Sequence, residues 1–127
     1  MTGAAGFIGS TLCDRLVADG WHVLGIDSFT DYYDPAAKRR NIAGLLGHAA
    51  FDLLESDLRV ADSTRLFGDV DVVFHLAAQP GVRGSWAEGF ATYDDCNIRV
   101  TQRVLEAVRQ HPGQRLVFAS SSSVYGN

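Results

Sequence analysis

A parallel α/β sheet, doubly wound by helices on its two faces, is the fold class predicted for this chain of 127 residues. Three observations carry that expectation. Apolar runs rich in β-branched residues, such as VDVVFHL at 70–76, alternate with segments of helical period. Strands that alternate with helices imply right-handed parallel crossovers. A glycine-spaced turn, with Gly3, Gly6 and Gly9, stands directly before the first helical segment.

Residues 3 to 20 read as that turn running into a helix. Ile8, Leu12 and Leu16 recur at four-residue spacing, Cys13 and Val17 widen the stripe, and Gly20 suits a C-terminal cap. A strand follows at 21–26 (WHVLGI) and ends at Asp27. Asp34 before Pro35 is a helix-start signal, because proline at the first helical position lacks only an N–H that would have no partner there. The helix spans 35–46, and Gly47 closes it. A short strand is expected at 51–54, a short helix capped by Asp62 at 63–67, and a strand covered on both faces at 70–76. A long helix fits 94–110, with Asn97, Thr101, Val104, Leu105 and Val108 on one side and Pro112 just beyond; the last strand is 115–119. There is no internal repeat and no low-complexity segment.

Composition excludes several function classes. With 46% hydrophobic and 20% charged residues the chain reads as one ordinary soluble domain, large enough to hold together without metal or disulfide. Asp and Glu number 15 against 11 Lys and Arg, which argues against a nucleic-acid binder, since such proteins need clustered positive charge to displace counterions. The single basic run, Lys38, Arg39 and Arg40, reads as a solvated helix face. No apolar run reaches membrane-spanning length and no leader opens the chain, so no membrane partner is expected and a cytoplasmic location is the default. Cys13 and Cys96 lack metal-ligand spacing and read as buried free thiols. His75 reads as a packed histidine at a strand end.

The glycine turn carries the chemistry. Gly3 permits a tight turn, Gly6 lets the backbone approach a pyrophosphate without a Cβ in the way, and Gly9 allows close helix packing. Free N–H groups and the dipole at the helix start favour an anion there. Asp27 ends the next strand, 18 residues after Gly9, where a carboxylate can accept hydrogen bonds from both ribose hydroxyls of an adenosine. The same charge repels a 2′-phosphate, and the neighbour is Ser28 rather than Arg, so NAD is expected over NADP. A triphosphatase loop would need GxxxxGK[ST], and no lysine follows Gly9; an acyl-transfer GxSxG elbow is missing as well.

Four segments together extend this reading: TGAAGFIGS at 2–10, GIDSFTDYYD at 25–34, HLAAQPGVRGS at 75–85 and ASSSSVYG at 119–126. Through them the chain resembles the N-terminal part of the NAD-dependent epimerase/dehydratase family, the extended short-chain dehydrogenases of Rossmann-like fold, and most of all its nucleotide-sugar 4-epimerases of UDP-glucuronate type. The dehydratase branch usually carries TDEVYG where this chain has SSSVYG. The resemblance implies that Gly3, Gly6, Phe7, Ile8 and Gly9 face the pyrophosphate of NAD and that Asp27 faces the adenosine ribose. It further implies that Asp57 and Leu58 border the adenine, that Leu76, Ala77, Ala78 and Gln79 line the channel beside the nicotinamide ribose, and that Asn97 and Ser120 belong to the cofactor side. Ser121 is implied as the catalytic hydroxyl, bonded to the 4-oxygen of a UDP-sugar. Arg83 is a candidate for an acidic sugar, because a guanidinium matches a carboxylate in bidentate fashion.

Two departures shape the expectation. The family's general base is the tyrosine of a YxxxK motif, and none of Tyr32, Tyr33 or Tyr125 has a lysine four residues on. Relatives also carry a strand leading into the glycine turn, central in the sheet between 21–26 and 70–76. Its four or so aliphatics contribute on the order of 6 to 12 kcal/mol, against a domain's net stability of about 5 to 15 kcal/mol. A truncated domain is therefore expected, lacking most of its first strand and the substrate-binding part, poorly stable alone and not catalytically competent. The resemblance also implies a homodimer in the full-length form, through helices near the one at 94–110 and another further on. The alternatives are a non-catalytic NAD-binding module and a dehydratase or decarboxylase fragment.

Overall fold

Helix α1, Phe7–Ala18, begins directly on the glycine turn and ends in a left-handed glycine. Gly20 has φ +88°, its N–H donates to the Val17 carbonyl, and the Trp21 N–H donates to the Leu16 carbonyl. Those two bonds satisfy carbonyls that the last turn leaves open and send the chain back into the sheet. This computed structural model describes every residue except Val82, Ala87, Glu88 and Asn127, and the side chains of Arg83, Ser122 and Ser123 also lie outside the described residues.

Strand β1, Val23–Asp27, pairs in parallel with β2, Phe51–Glu55, in a register running from Val23 opposite Phe51 to Asp27 opposite Glu55. Strand β3, Val72–His75, pairs in parallel with β4, Arg115–Phe118. Thr2 joins the two pairs by bridging Ile26 on one side and His75 on the other, so the order across the molecule is β2, β1, Thr2, β3, β4. The central place expected for a strand before the glycine turn is thus the place Met1 and Thr2 occupy: the Ile26 N–H donates to the Met1 carbonyl and the Thr2 N–H to the Phe74 carbonyl. Beside Met1, a slot of about 430 Å³ opens between Val23 and Val72.

Alternate sheet residues enter separate apolar clusters, as the period of two in a strand requires. Val23, Phe51 and Leu53 pack with Ala4, Cys13 and Leu45. Leu24, Ile26, Leu54 and Val73 pack with Phe67 and with Val100, Val104 and Ala107 of helix α5, Val100–Arg109. Among the described residues no helix is long and apolar enough to cross a membrane.

Three expectations need correction. The helix placed at 35–46 stops early: α2 is Pro35–Asn41, and 42–47 are turns. Asp34 caps it as expected, its carboxylate accepting the Ala36 N–H at 2.9 Å. Ile42 and Leu45 then bury into different clusters, and Gly44 lowers the resistance to leaving the helix. The helix placed at 94–110 starts earlier, with α4 at Phe90–Tyr93, and continues through a π-helical stretch, Asp94–Arg99, into α5. Helix α3, Ser63–Leu66, has the predicted Asp62 cap, which accepts the Arg65 N–H. Lys38, expected on a solvated face, is only 7% exposed.

Candidate functional site

The first turn of α1 opens into a cavity of about 480 Å³. Gly3, Gly6, Phe7, Ile8 and Gly9 line one wall. Gly6 stands at the N-cap position and offers no side chain to cap the helix, and uncapped first amides of this kind can receive an anion. Phe7 and Ile8 are exposed although apolar. The turn is shaped by close backbone contact. A Cβ on Gly9 would sit 2.0 Å from the Gly3 carbonyl oxygen, and one on Gly3, whose φ is +70°, would sit 2.9 Å from the Ala77 nitrogen.

Asp27, at the carboxyl end of β1, lies in the same cavity and is buried. The Ala5 N–H donates to its Oδ2 at 3.1 Å and the Phe29 N–H to its Oδ1 at 2.8 Å. That second bond accompanies a left-handed Phe29, φ +49°, an uncommon conformation for a bulky residue and a local strain next to the site. Lys38 Nζ lies 3.6 Å from Asp27 Oδ1, donates to Thr30 Oγ1 at 3.2 Å, and sits 5.2 Å from the centre of the Tyr33 ring. The carboxylate is therefore oriented from three sides, with the remaining lone pairs free to accept from a diol.

The far wall comes from loops at the carboxyl ends of β2 and β3. Asp57 and Leu58 line it, and Arg59 pairs with Asp57 at 2.6 Å, holding that carboxyl below the usual range. Leu76, Ala77, Ala78 and Gln79 continue the wall. Asn97, in the π-helical stretch, clamps Gln79: its Oδ1 accepts the Gln79 N–H at 2.7 Å and its Nδ2 donates to the Gln79 carbonyl at 3.0 Å. π-Helical turns recur at functional sites because they reposition side chains along the helix; here the repositioned side chain fixes a cavity loop.

Comparison with known proteins identifies the family. Residues 1–127 match the model of the NAD dependent epimerase/dehydratase family. The chain belongs to that family. It is 50% identical over 127 residues to the Bacillus subtilis (strain 168) protein called uncharacterized UDP-glucose epimerase YtcB, covering 99% of this chain and 40% of the relative. It is 37% identical over 129 residues to the probable UDP-glucuronate 4-epimerase of Rhizobium meliloti (strain 1021), covering 99% of this chain and 38% of that protein. The crystal structure of UDP-glucuronic acid 4-epimerase from Bacillus cereus, in complex with UDP-glucuronic acid and NAD, superposes with a TM-score of 0.92 at 44% identity, over 99% of this chain and 40% of that one. The chain thus spans about 40% of the length of such relatives.

Of the site residues expected from the resemblance, twelve share the cavity: the five of the glycine turn with Asp27, Asp57, Leu58 and Leu76 to Gln79. Asn97 acts on the cavity through Gln79 rather than lining it. Ser120 and Ser121 follow Ala119, which does line it, and both are exposed at the end of β4. The Arg83 side chain lies outside the described residues. Lys38, Thr30 and Tyr33 were not foreseen. For Lys38 no local signal existed, since its partners Asp27 and Thr30 come from the end of β1 and the loop after it. Cys13 is the buried thiol expected, its pKa pushed up to about 11 by burial, whereas Cys96 is half-buried and lines the cavity.

His75 is the packed histidine expected, 1% exposed, with its pKa lowered by burial alone. The glycine turn, α5 and β4 present Thr2, Thr101 and Phe118 to its ring, and no charged group contributes to the shift. Below its ordinary pKa of 6.5 the unfolded chain binds a proton that the folded ring resists. This contribution to stability is complete above that pH and shrinks as pH falls beneath it, by at most about 1.4 kcal/mol per pH unit. Thermal unfolding from about pH 7 to pH 5.5 is expected to show a fall in Tm steeper than in His75→Asn; parallel curves would contradict this.

Proposed function

We propose that this chain is the NAD-binding portion of a nucleotide-sugar 4-epimerase acting on a UDP-sugar. The observation that carries the reading is one cavity uniting an uncapped helix start with the buried carboxylate of Asp27. The amides of Phe7, Ile8 and Gly9 receive the diphosphate, and Asp27 accepts from the adenosine ribose hydroxyls. Asp57 and Leu58 border the adenine, and Leu76 to Gln79, with Gln79 braced by Asn97, flank the nicotinamide ribose. Ser120 completes the cofactor side. When bound, NAD supplies hydride acceptance and return at the sugar's C4. Ser121 holds the 4-hydroxyl by hydrogen bonding, and Arg83 meets the carboxylate of an acidic sugar. No YxxxK tyrosine occurs within the 127 residues to act as general base. The Bacillus cereus relative bound to UDP-glucuronic acid and NAD supports both the cofactor and the substrate class.

The test is a thermal shift. A ligand at one hundred times its Kd adds about 2.7 kcal/mol to the folded state, a rise in Tm on the order of 10 °C for a domain of this size. NAD is expected to produce that rise, and NADP a smaller one because Asp27 opposes a 2′-phosphate. An unchanged Tm at saturating NAD would overturn the reading.

A further inference from the structure

We propose that His75 is a positioning residue for the dinucleotide, setting the spacing between the glycine turn and the Leu76–Ala77 backbone through the hydroxyl of Thr2. The inference rests on the NAD reading and assigns a task to a side chain outside the cavity lining.

Thr2 is completely buried, so its hydroxyl hydrogen requires an acceptor. Among the described residues two groups reach Thr2 Oγ1: the Ala77 N–H, which can only donate, at 3.2 Å, and His75 Nδ1 at 2.7 Å. Among the described residues, His75 Nδ1 is therefore the acceptor for the Thr2 hydroxyl. The neutral ring then carries its proton on Nε2, which donates to Thr101 Oγ1 at 3.1 Å. This order leaves an Oγ1 lone pair turned toward the Ala77 N–H. Ala77 is also the residue on which Gly3 closes, with no room for a Cβ between them. One hydroxyl thus fastens the two walls that receive the diphosphate and the nicotinamide end, and the histidine decides which way that hydroxyl points. The ring is held in place by stacking on Phe118 at 5.7 Å, and its own carbonyl accepts the Ala119 N–H at 3.2 Å.

The two sides of the ring can be tested apart. Asparagine at 75 keeps an acceptor near the Nδ1 position, whereas glutamine reaches only the Nε2 position toward Thr101. With Kd for NAD measured by calorimetry well below each variant's Tm, Thr2→Val and His75→Gln are expected to weaken binding about tenfold, equivalent to about 1.4 kcal/mol. His75→Asn and Thr101→Val should stay within about threefold, whatever they do to Tm. Thr2→Val combined with His75→Gln should be no worse than either alone, because both break one linkage. Losses that follow Tm across all variants, or an equal loss in Thr101→Val, would overturn the proposal while leaving the NAD reading intact. Failure of the unaltered chain to bind NAD would instead remove the reading itself. Nitrogen NMR of the ring needs no variant: an Nε2–H tautomer is expected, and Nδ1–H would overturn the assignment even if the substituted chains did not fold.

Discussion

Gly9→Ala is expected to abolish NAD binding and to destabilise the chain by about 3 kcal/mol or more, at or beyond the upper end of ordinary overpacking. The added methyl would meet the Gly3 carbonyl oxygen at 2.0 Å and its carbon at 2.9 Å. These are backbone atoms, so no rotamer change relieves the clash. Gly3 is itself held in the sheet, its N–H donating to the Ile26 carbonyl at 2.8 Å, and its φ of +70° fixes the turn. The turn must open, and the amides of Phe7 and Ile8 lose their common aim. Gly44→Ala is the control: nothing lies within 4 Å of its added Cβ, and a surface change of this kind stays within about 0.5 kcal/mol. Chemical denaturation measures the stability and calorimetry the binding. Wild-type affinity in Gly9→Ala would show that the glycine serves no such packing.

Asp27→Ala is expected to weaken NAD about a hundredfold, and it also harms the fold. Two hydrogen bonds from a diol to a charged acceptor contribute about 1.5 to 3 kcal/mol each, so losing both corresponds to at least two decades in Kd. In the free chain the substitution leaves the Ala5 and Phe29 N–H groups without their acceptor and Lys38 buried beside no carboxylate. Breaking one side of a buried pair costs about 3 to 5 kcal/mol, whereas replacing both sides by apolar groups is often near neutral. Asp27→Ala with Lys38→Met should therefore regain much of the stability and none of the affinity. If the double variant recovered NAD binding together with its Tm, Asp27 would be a structural residue and not a ribose acceptor.

What could be read from the sequence was what depends on near neighbours. The glycine turn, the Asp34 and Asp62 caps and the Gly20 terminus each rest on bonds within a few residues, and each is found where its residues stand. Asp27 was legible because a strand end a fixed distance beyond a glycine turn leaves few places for a carboxylate to go. Lys38 was misread because its burial depends on Asp27 and Thr30 arriving from β1 and the loop after it. The break in the long helix was invisible for a similar reason. The π-helical stretch 94–99 contains Asn97, whose two bonds to Gln79 come from a segment 18 residues away. Cys96 belongs to the same stretch and lines the cavity.

The central claim is that one cavity receives the diphosphate at the start of α1 and the ribose at Asp27. Amide-resolved NMR during a titration with NAD tests it most directly. The largest changes are expected at Phe7, Ile8 and Gly9 and along Asp27 to Phe29. Signals that stay fixed there at saturating NAD, or that move instead around the slot beside Met1, would contradict it.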